Sequence, residues 1–125
     1  MKVREGILVK FGSIRIGENS YEHDVIIHSD GSVSRRKKEL SRALRSRYGH
    51  TPLTTMEVKE LIEERPDVIV IGTGMYGALP LLDVEDYILS SGIECIVAKT
   101  PEAVEVYEQL CREGKRVAAI FHITC

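Results

Sequence analysis

The chain has 125 residues, 43% of them apolar and 29% charged, with a formal charge of -2. That length suits one domain around a single core. The near-balanced charge excludes a wholly basic nucleic-acid binder, and no stretch approaches the roughly 20 apolar residues of a membrane span.

Up to Arg35 the pattern is short and alternating. Ile14 and Ile16 flank Arg15, "GEN" turns into "SYEHDVIIH", and "SDGS" turns into Val33. Such runs between Gly, Asn and Asp turns predict antiparallel hairpins. Beyond Arg35 the period lengthens. Leu40, Ala43, Leu44 and Tyr48 recur at helical spacing before Gly49, predicting a basic amphipathic helix over about 37–48. Thr54 and Glu57 have capping-box spacing ahead of Val58, Leu61 and Ile62, so a second helix is expected to run to Arg65 before Pro66.

From Asp67 strand and helix alternate. "DVIVIG" and "IECIVA" are apolar runs suited to buried strands, with Asp83 as the expected cap of a helix between them that stops before Gly92. Thr100 is the expected N-cap of the next helix, Pro101 its first position and Gly114 its stop. "RVAAIFHI" completes a β-α-β-α-β core over about 67–123, which implies a parallel sheet extended or covered by the N-terminal strands of about 1–35. A single domain over 1–125 is expected.

Gly72, Gly74 and Gly77 after the first core strand have the spacing of a dinucleotide fingerprint. Three features argue against that reading. Pro80 and the cap at Asp83 separate the glycines from the helix, the unit lies in mid-chain, and the next strand ends on Lys99 where an acid is needed. No cofactor is expected. The glycines let a loop turn tightly at the carboxyl edge of the sheet, where Thr73, Met75, Tyr76, Lys99 and Thr100 should gather. Loop amides, the Lys99 ammonium and the helix start at Thr100 could there hold a small anion, giving Gly72, Thr73, Gly74, Tyr76, Lys99 and Thr100 as candidate ligand-binding residues.

A second candidate is "RRKKELSRALRSR", where seven cations including Lys37 and Arg47 face one acid, Glu39. Arg35, Arg36, Lys38, Arg42 and Arg45 are its candidate polyanion-binding residues, with Lys38, Arg42 and Arg45 on one helix face. No aromatic residues interleave to stack on bases, so the same cluster also suits an acidic protein partner.

Other chemistries lack their patterns. His23, His28, His50 and His122 show no metal-ligand spacing, and there is neither an HExxH run nor a GxSxG elbow, so no metal or catalytic residue is assigned. Cys95, Cys111 and Cys125 are odd in number and lack CxxC spacing, which suits free thiols in a reducing compartment. "MKVREGILVKFGS" holds no apolar stretch of signal-peptide length, so a cytoplasmic location is expected. Asn19 and Gln109 are the only side-chain amides in a charge-rich chain, a tendency of thermophile proteins.

"FGSIRIGENSYEHDVII", "GHTPLT", "PDVIVIGTGMYG" and "TPEAVEVYEQLCREGKRVAAIFHI", taken in that order, resemble the small α/β Mth-type domain family. That family is typified by the adipogenesis-associated Mth-type domain protein and related to a mitochondrial complex I assembly factor. The resemblance implies a three-layer α/β fold with an extra β portion and an interaction or assembly role, with no established reaction. The segment from Lys37 to Tyr48 is longer than in many members, and Glu108 stands where Asn is common. The expected function is therefore non-enzymatic binding of a protein partner. The alternatives are a binder or enzyme for a small anionic, phosphate-containing ligand at the Gly72–Gly77 loop, and nucleic-acid or acidic-partner binding through the basic helix.

Overall fold

The computed structural model describes residues 6–42 and 51–125. Strands β1 (Ile7–Lys10), β2 (Ser13–Ile16) and β3 (Asn19–Tyr21) form an antiparallel sheet in the order β1-β2-β3. Both hairpins turn in two residues. Lys10 pairs Ser13 around Phe11-Gly12, and Ile16 pairs Asn19 around Gly17-Glu18. Gly12 and Gly17 both take positive φ, as tight turns that match the strand twist require. Sequence pattern did not single out β1, because Leu8 and Lys10 are exposed while Val9 is only half-buried.

The main sheet has five strands, in the order Val33–Arg35, Val25–Ile27, Val117–His122, Val68–Thr73 and Glu94–Ala98. Strands β7 (Val68–Thr73), β9 (Glu94–Ala98) and β10 (Val117–His122) run parallel, as the β-α-β-α-β pattern predicts. Strands β4 (Val25–Ile27) and β5 (Val33–Arg35) extend it antiparallel from β10. The run "SYEHDVIIH" is thus two strands in two sheets. Two-residue strands β6 (Leu53–Thr54) and β8 (Leu81–Leu82) pair beside it.

Alternate residues of the main sheet divide the core in two. Val25, Val70, Ala119 and Phe121 face helix α3 (Thr100–Arg112) and the small sheet, through Val104, Tyr107, Ile14 and Ile16. Ile26, Ile69, Ile71 and Ile120 face helices α1 (Thr55–Glu63) and α2 (Val84–Ser90), through Val58, Leu61, Val84 and Ile88. Three layers result, which is the arrangement the family resemblance implies.

Three expected caps differ. Thr54 precedes α1 but makes no capping bond, because its hydroxyl meets Ser41 and Glu57 meets Arg36. Asp83 precedes α2 with a left-handed backbone and no side-chain bond to it. Thr100 is the first residue of α3, after Lys99 at the cap, and its hydroxyl serves the neighbouring strands. Of the expected basic helix, Lys38–Leu40 forms a short 3-10 turn, and 43–50 lie outside the described residues.

Candidate functional site: a buried charge network beneath a cationic cleft

At the carboxyl edge of the sheet, Thr73, Gly74 and Thr100 do gather. Thr100 Oγ1 accepts from the Gly74 amide at 2.8 Å and donates to the His122 carbonyl at 2.5 Å, while the Thr100 amide donates to the Gly74 carbonyl at 3.0 Å. The amides expected to be open to an anion are engaged by the chain itself. Met75 donates to the Thr124 carbonyl at 2.7 Å, and Tyr76 and Ala78 donate to the Cys125 carbonyl at 3.1 and 3.0 Å. Residues 124–125 thus fill the concavity of the glycine loop. Gly74, at φ +108, has no room for a side chain there, since a Cβ would collide with the Cys125 carbonyl. Gly72 faces Thr100 closely, its would-be Cβ lying 2.7 Å from the hydroxyl oxygen. Lys99 is exposed, and Tyr76 projects into solvent with its ring 6.0 Å from that of Phe11.

The polar centre of the molecule lies elsewhere. As β5 ends, the Arg36 amide donates to the Asp24 carbonyl at 3.0 Å and the side chain turns inward, leaving the residue 2% exposed. Its guanidinium makes a two-pronged pair with Glu57, Nε to Oε1 at 2.7 Å and Nη2 to Oε2 at 3.1 Å. Nη1 donates to Asp24 Oδ2 at 3.1 Å, and Nη2 also reaches the carbonyls of Thr51 and Pro52 at 3.1 and 2.7 Å. Such a planar fork suits buried carboxylates in a way an ammonium does not. Ser41 Oγ donates to Glu57 Oε2 at 2.5 Å and also meets Thr54 Oγ1 at 2.7 Å.

Asp24 links this cluster to the main sheet. Its Oδ2 lies 2.7 Å from His122 Nδ1, its Oδ1 accepts the Ile123 amide at 3.0 Å, and Lys38 Nζ stands 3.7 Å away. His122 Nε2 in turn lies 3.2 Å from Thr124 Oγ1. Burial alone would raise the Asp24 carboxyl. The His122 hydrogen bond and charge, with Lys38 and the Ile123 amide, outweigh it and hold the carboxyl well below its ordinary value. Arg36 shows the mirror balance, because burial opposes its charge while the Glu57 pair and then Asp24 reinforce it.

Above the network opens a cleft of about 380 Å³, lined by Asp24 and Arg36 together with His23, Arg35, Lys38, Glu39 and Arg42. Arg35 and Arg42 are exposed and have no ion-pair partner among the described residues. His23 is held by the Asp24 carbonyl at 3.0 Å and by an edge-on contact with Tyr21, ring centroids 5.6 Å apart.

The structure therefore brings four of the five predicted polyanion-binding residues, Arg35, Arg36, Lys38 and Arg42, to one cleft. Arg36 differs from the other three: it is buried, and its guanidinium is engaged by carboxylates and carbonyls, so it supports the cleft from beneath. Arg45 lies outside the described residues. Sequence reasoning missed Asp24, Glu57 and His122. For Asp24 and His122 the signal was an acid or imidazole at the edge of an apolar strand, "HDVII" and "AIFHI", where burial demands a partner.

No helix among the described residues is long and apolar enough to cross a membrane. Fold and site together define a three-layer α/β module with a charge-bridged interior. The chain belongs to a family described as protein of unknown function (DUF498/DUF598), whose profile matches residues 8–122. The solved protein MT938 is 37% identical with a TM-score of 0.79, over 94% of this chain and 96% of its own. The conserved hypothetical protein PH1505 from Pyrococcus horikoshii OT3 is 35% identical with a TM-score of 0.80, over 100% of both chains. A Mth938-like domain from Bordetella pertussis shares the fold at 19% identity and a TM-score of 0.56, over 90% of this chain and 81% of its own. The resemblance to the Mth-type family read from the sequence is thereby borne out.

Proposed function

We propose that the protein acts by binding, as an interaction or assembly module of the cytoplasm, and that the partner segment it takes is acidic. The observation that carries this reading is the cleft in which Arg35, Lys38 and Arg42 converge over a saturated Arg36. Because the guanidinium of Arg36 is already satisfied by Glu57 and Asp24, the backbone from Arg35 to Lys38 is anchored before any partner arrives. Little ordering is then left to oppose binding. The glycine-loop alternative is less well supported, since the Met75, Tyr76 and Ala78 amides meet the chain's own carbonyls. A protein partner fits better than nucleic acid because the chain is net acidic and no aromatic residue interleaves with the clustered cations to stack on bases.

The test is fluorescence anisotropy with a labelled Asp/Glu-rich peptide and, in parallel, a single-stranded oligonucleotide of matched charge. Peptide affinity should fall with added salt and drop by about tenfold or more in the Arg35→Glu, Arg42→Glu double variant. Both positions are exposed, so the melting temperature should hold. Equal peptide binding by wild type and double variant would overturn the reading. Tighter and more salt-sensitive binding of the oligonucleotide would hand the cleft to nucleic acid.

A further inference from the structure

Further along α1 from Glu57, the fold assembles a group that spacing in the chain could not reveal. His28 ends the apolar run of β4, 36 residues before Glu64, and Glu60 and Glu64 stand one helical turn apart at the end of α1. One ligand atom from each lies within 4.8 Å of the other two. We propose that His28 Nδ1, Glu64 and Glu60 form a binding site for a divalent first-row transition ion, for which zinc is the best match to one imidazole and two carboxylates.

Several features distinguish this group from a chance gathering of surface acids. The imidazole is fixed from behind, with Nε2 2.7 Å from Ser34 Oγ, so the ring can donate there and turn the Nδ1 lone pair toward Glu64. That is the outer-shell arrangement metal-ligating histidines use. His28 is also fixed at its backbone, its amide donating to the Ser32 carbonyl at 2.8 Å and its carbonyl accepting the Gly31 amide at 2.9 Å. Glu64 is held as well. Its Oε1 accepts the Ser29 amide at 2.9 Å, which leaves Oε2 facing His28 Nδ1 at 2.6 Å. Ser29 Oγ, on the residue that orients this carboxylate, is the one buried side-chain polar atom without a hydrogen-bond partner among the described residues.

An ion would take the place of the proton shared between His28 and Glu64. Ligand atoms around a tetrahedral zinc lie about 3.3 Å apart, so the 2.6 Å contact must open by under about 1 Å. Glu60 supplies the movable ligand: it pairs with Lys37 at 2.8 Å, but both side chains are more than half exposed, and such a pair gives way cheaply. Three protein ligands leave a position for water or for a donor from a partner.

The test is titration of the purified full chain with Co²⁺ followed by visible absorption, and with Zn²⁺ by calorimetry. One ion per chain is expected, with no strong near-ultraviolet thiolate band, since Cys95, Cys111 and Cys125 are not in the site. His28→Ala should abolish binding, and Ser34→Ala should weaken it about tenfold through the ring it holds. Glu60→Gln, at an exposed position where folding is not at stake, should also weaken it about tenfold. No binding at millimolar Co²⁺, a thiolate band, or unchanged affinity in Glu60→Gln and His28→Ala would each overturn the proposal.

Discussion

Arg36 shows how much one side chain can decide. It forks across Glu57 and shares Asp24 with His122 and Lys38, so removing it leaves Glu57 buried without a counter-charge and strips Asp24 of one partner. Arg36→Ala should lower stability by about 3–5 kcal/mol in chemical unfolding, and Arg36→Lys should recover little, because an ammonium cannot fork across Glu57. Asp24 carries a pH signature. Its carboxyl in the folded state titrates below the ordinary 3.8, so its contribution is complete above that value and fades as pH falls toward the folded titration. Melting temperature should therefore decline as pH falls from about 4 to about 2, and Asp24→Asn, though less stable at neutral pH, should show a flatter profile over that range. Cys95 offers a different residue-scale check. Burial, then the charge of Glu85, pushes its thiol up to about 12. It should resist alkylation at neutral pH by a hundredfold or so relative to an ordinary thiol, as read by mass spectrometry.

Among the elements, legibility followed periodicity. The helix from Thr100 and the strand "RVAAIFHI" were readable because α3 buries Ala103, Val104, Tyr107 and Cys111 on one stripe while Glu102 and Glu105 face water. Tyr107 lies edge-on to Phe121, centroids 5.9 Å apart, between α3 and the main sheet. Tyr107→Ala should cost about 3–5 kcal/mol, measured by denaturant unfolding. Strands β6 and β8 were not legible, since two residues carry no period. The capping motif misled for a physical reason: Thr54 and Glu57 have the required spacing, but a buried guanidinium competes for Glu57 more strongly than an amide at the helix start. Glu108 was noted only as a departure from the family pattern. Its Oε2 lies within reach of the Gly6 and Ile7 amides, at 3.1 and 3.4 Å, and so ties the start of β1 to α3.

For the whole molecule, the three-layer architecture could be read from strand and helix order, whereas the site could not. Asp24, Arg36, Glu57 and His122 are drawn from four separate stretches, and only the pairing of β4 with β10 and of α1 with the turn after β5 unites them. The basic segment was visible as composition, but which cation would face inward was settled by the carboxylates beneath it. A charge-rich chain with one Asn and one Gln should melt above about 65 °C, and calorimetry can check this. The proposed binding surface is the cleft over Arg36. The most direct measurement is a two-dimensional amide NMR titration of the labelled protein with the Asp/Glu-rich peptide. Shifts concentrated at His23, Arg35, Lys38 and Arg42 are the expected result. Shifts concentrated at Tyr76, Lys99 and Thr100, or scattered without saturation, would contradict it.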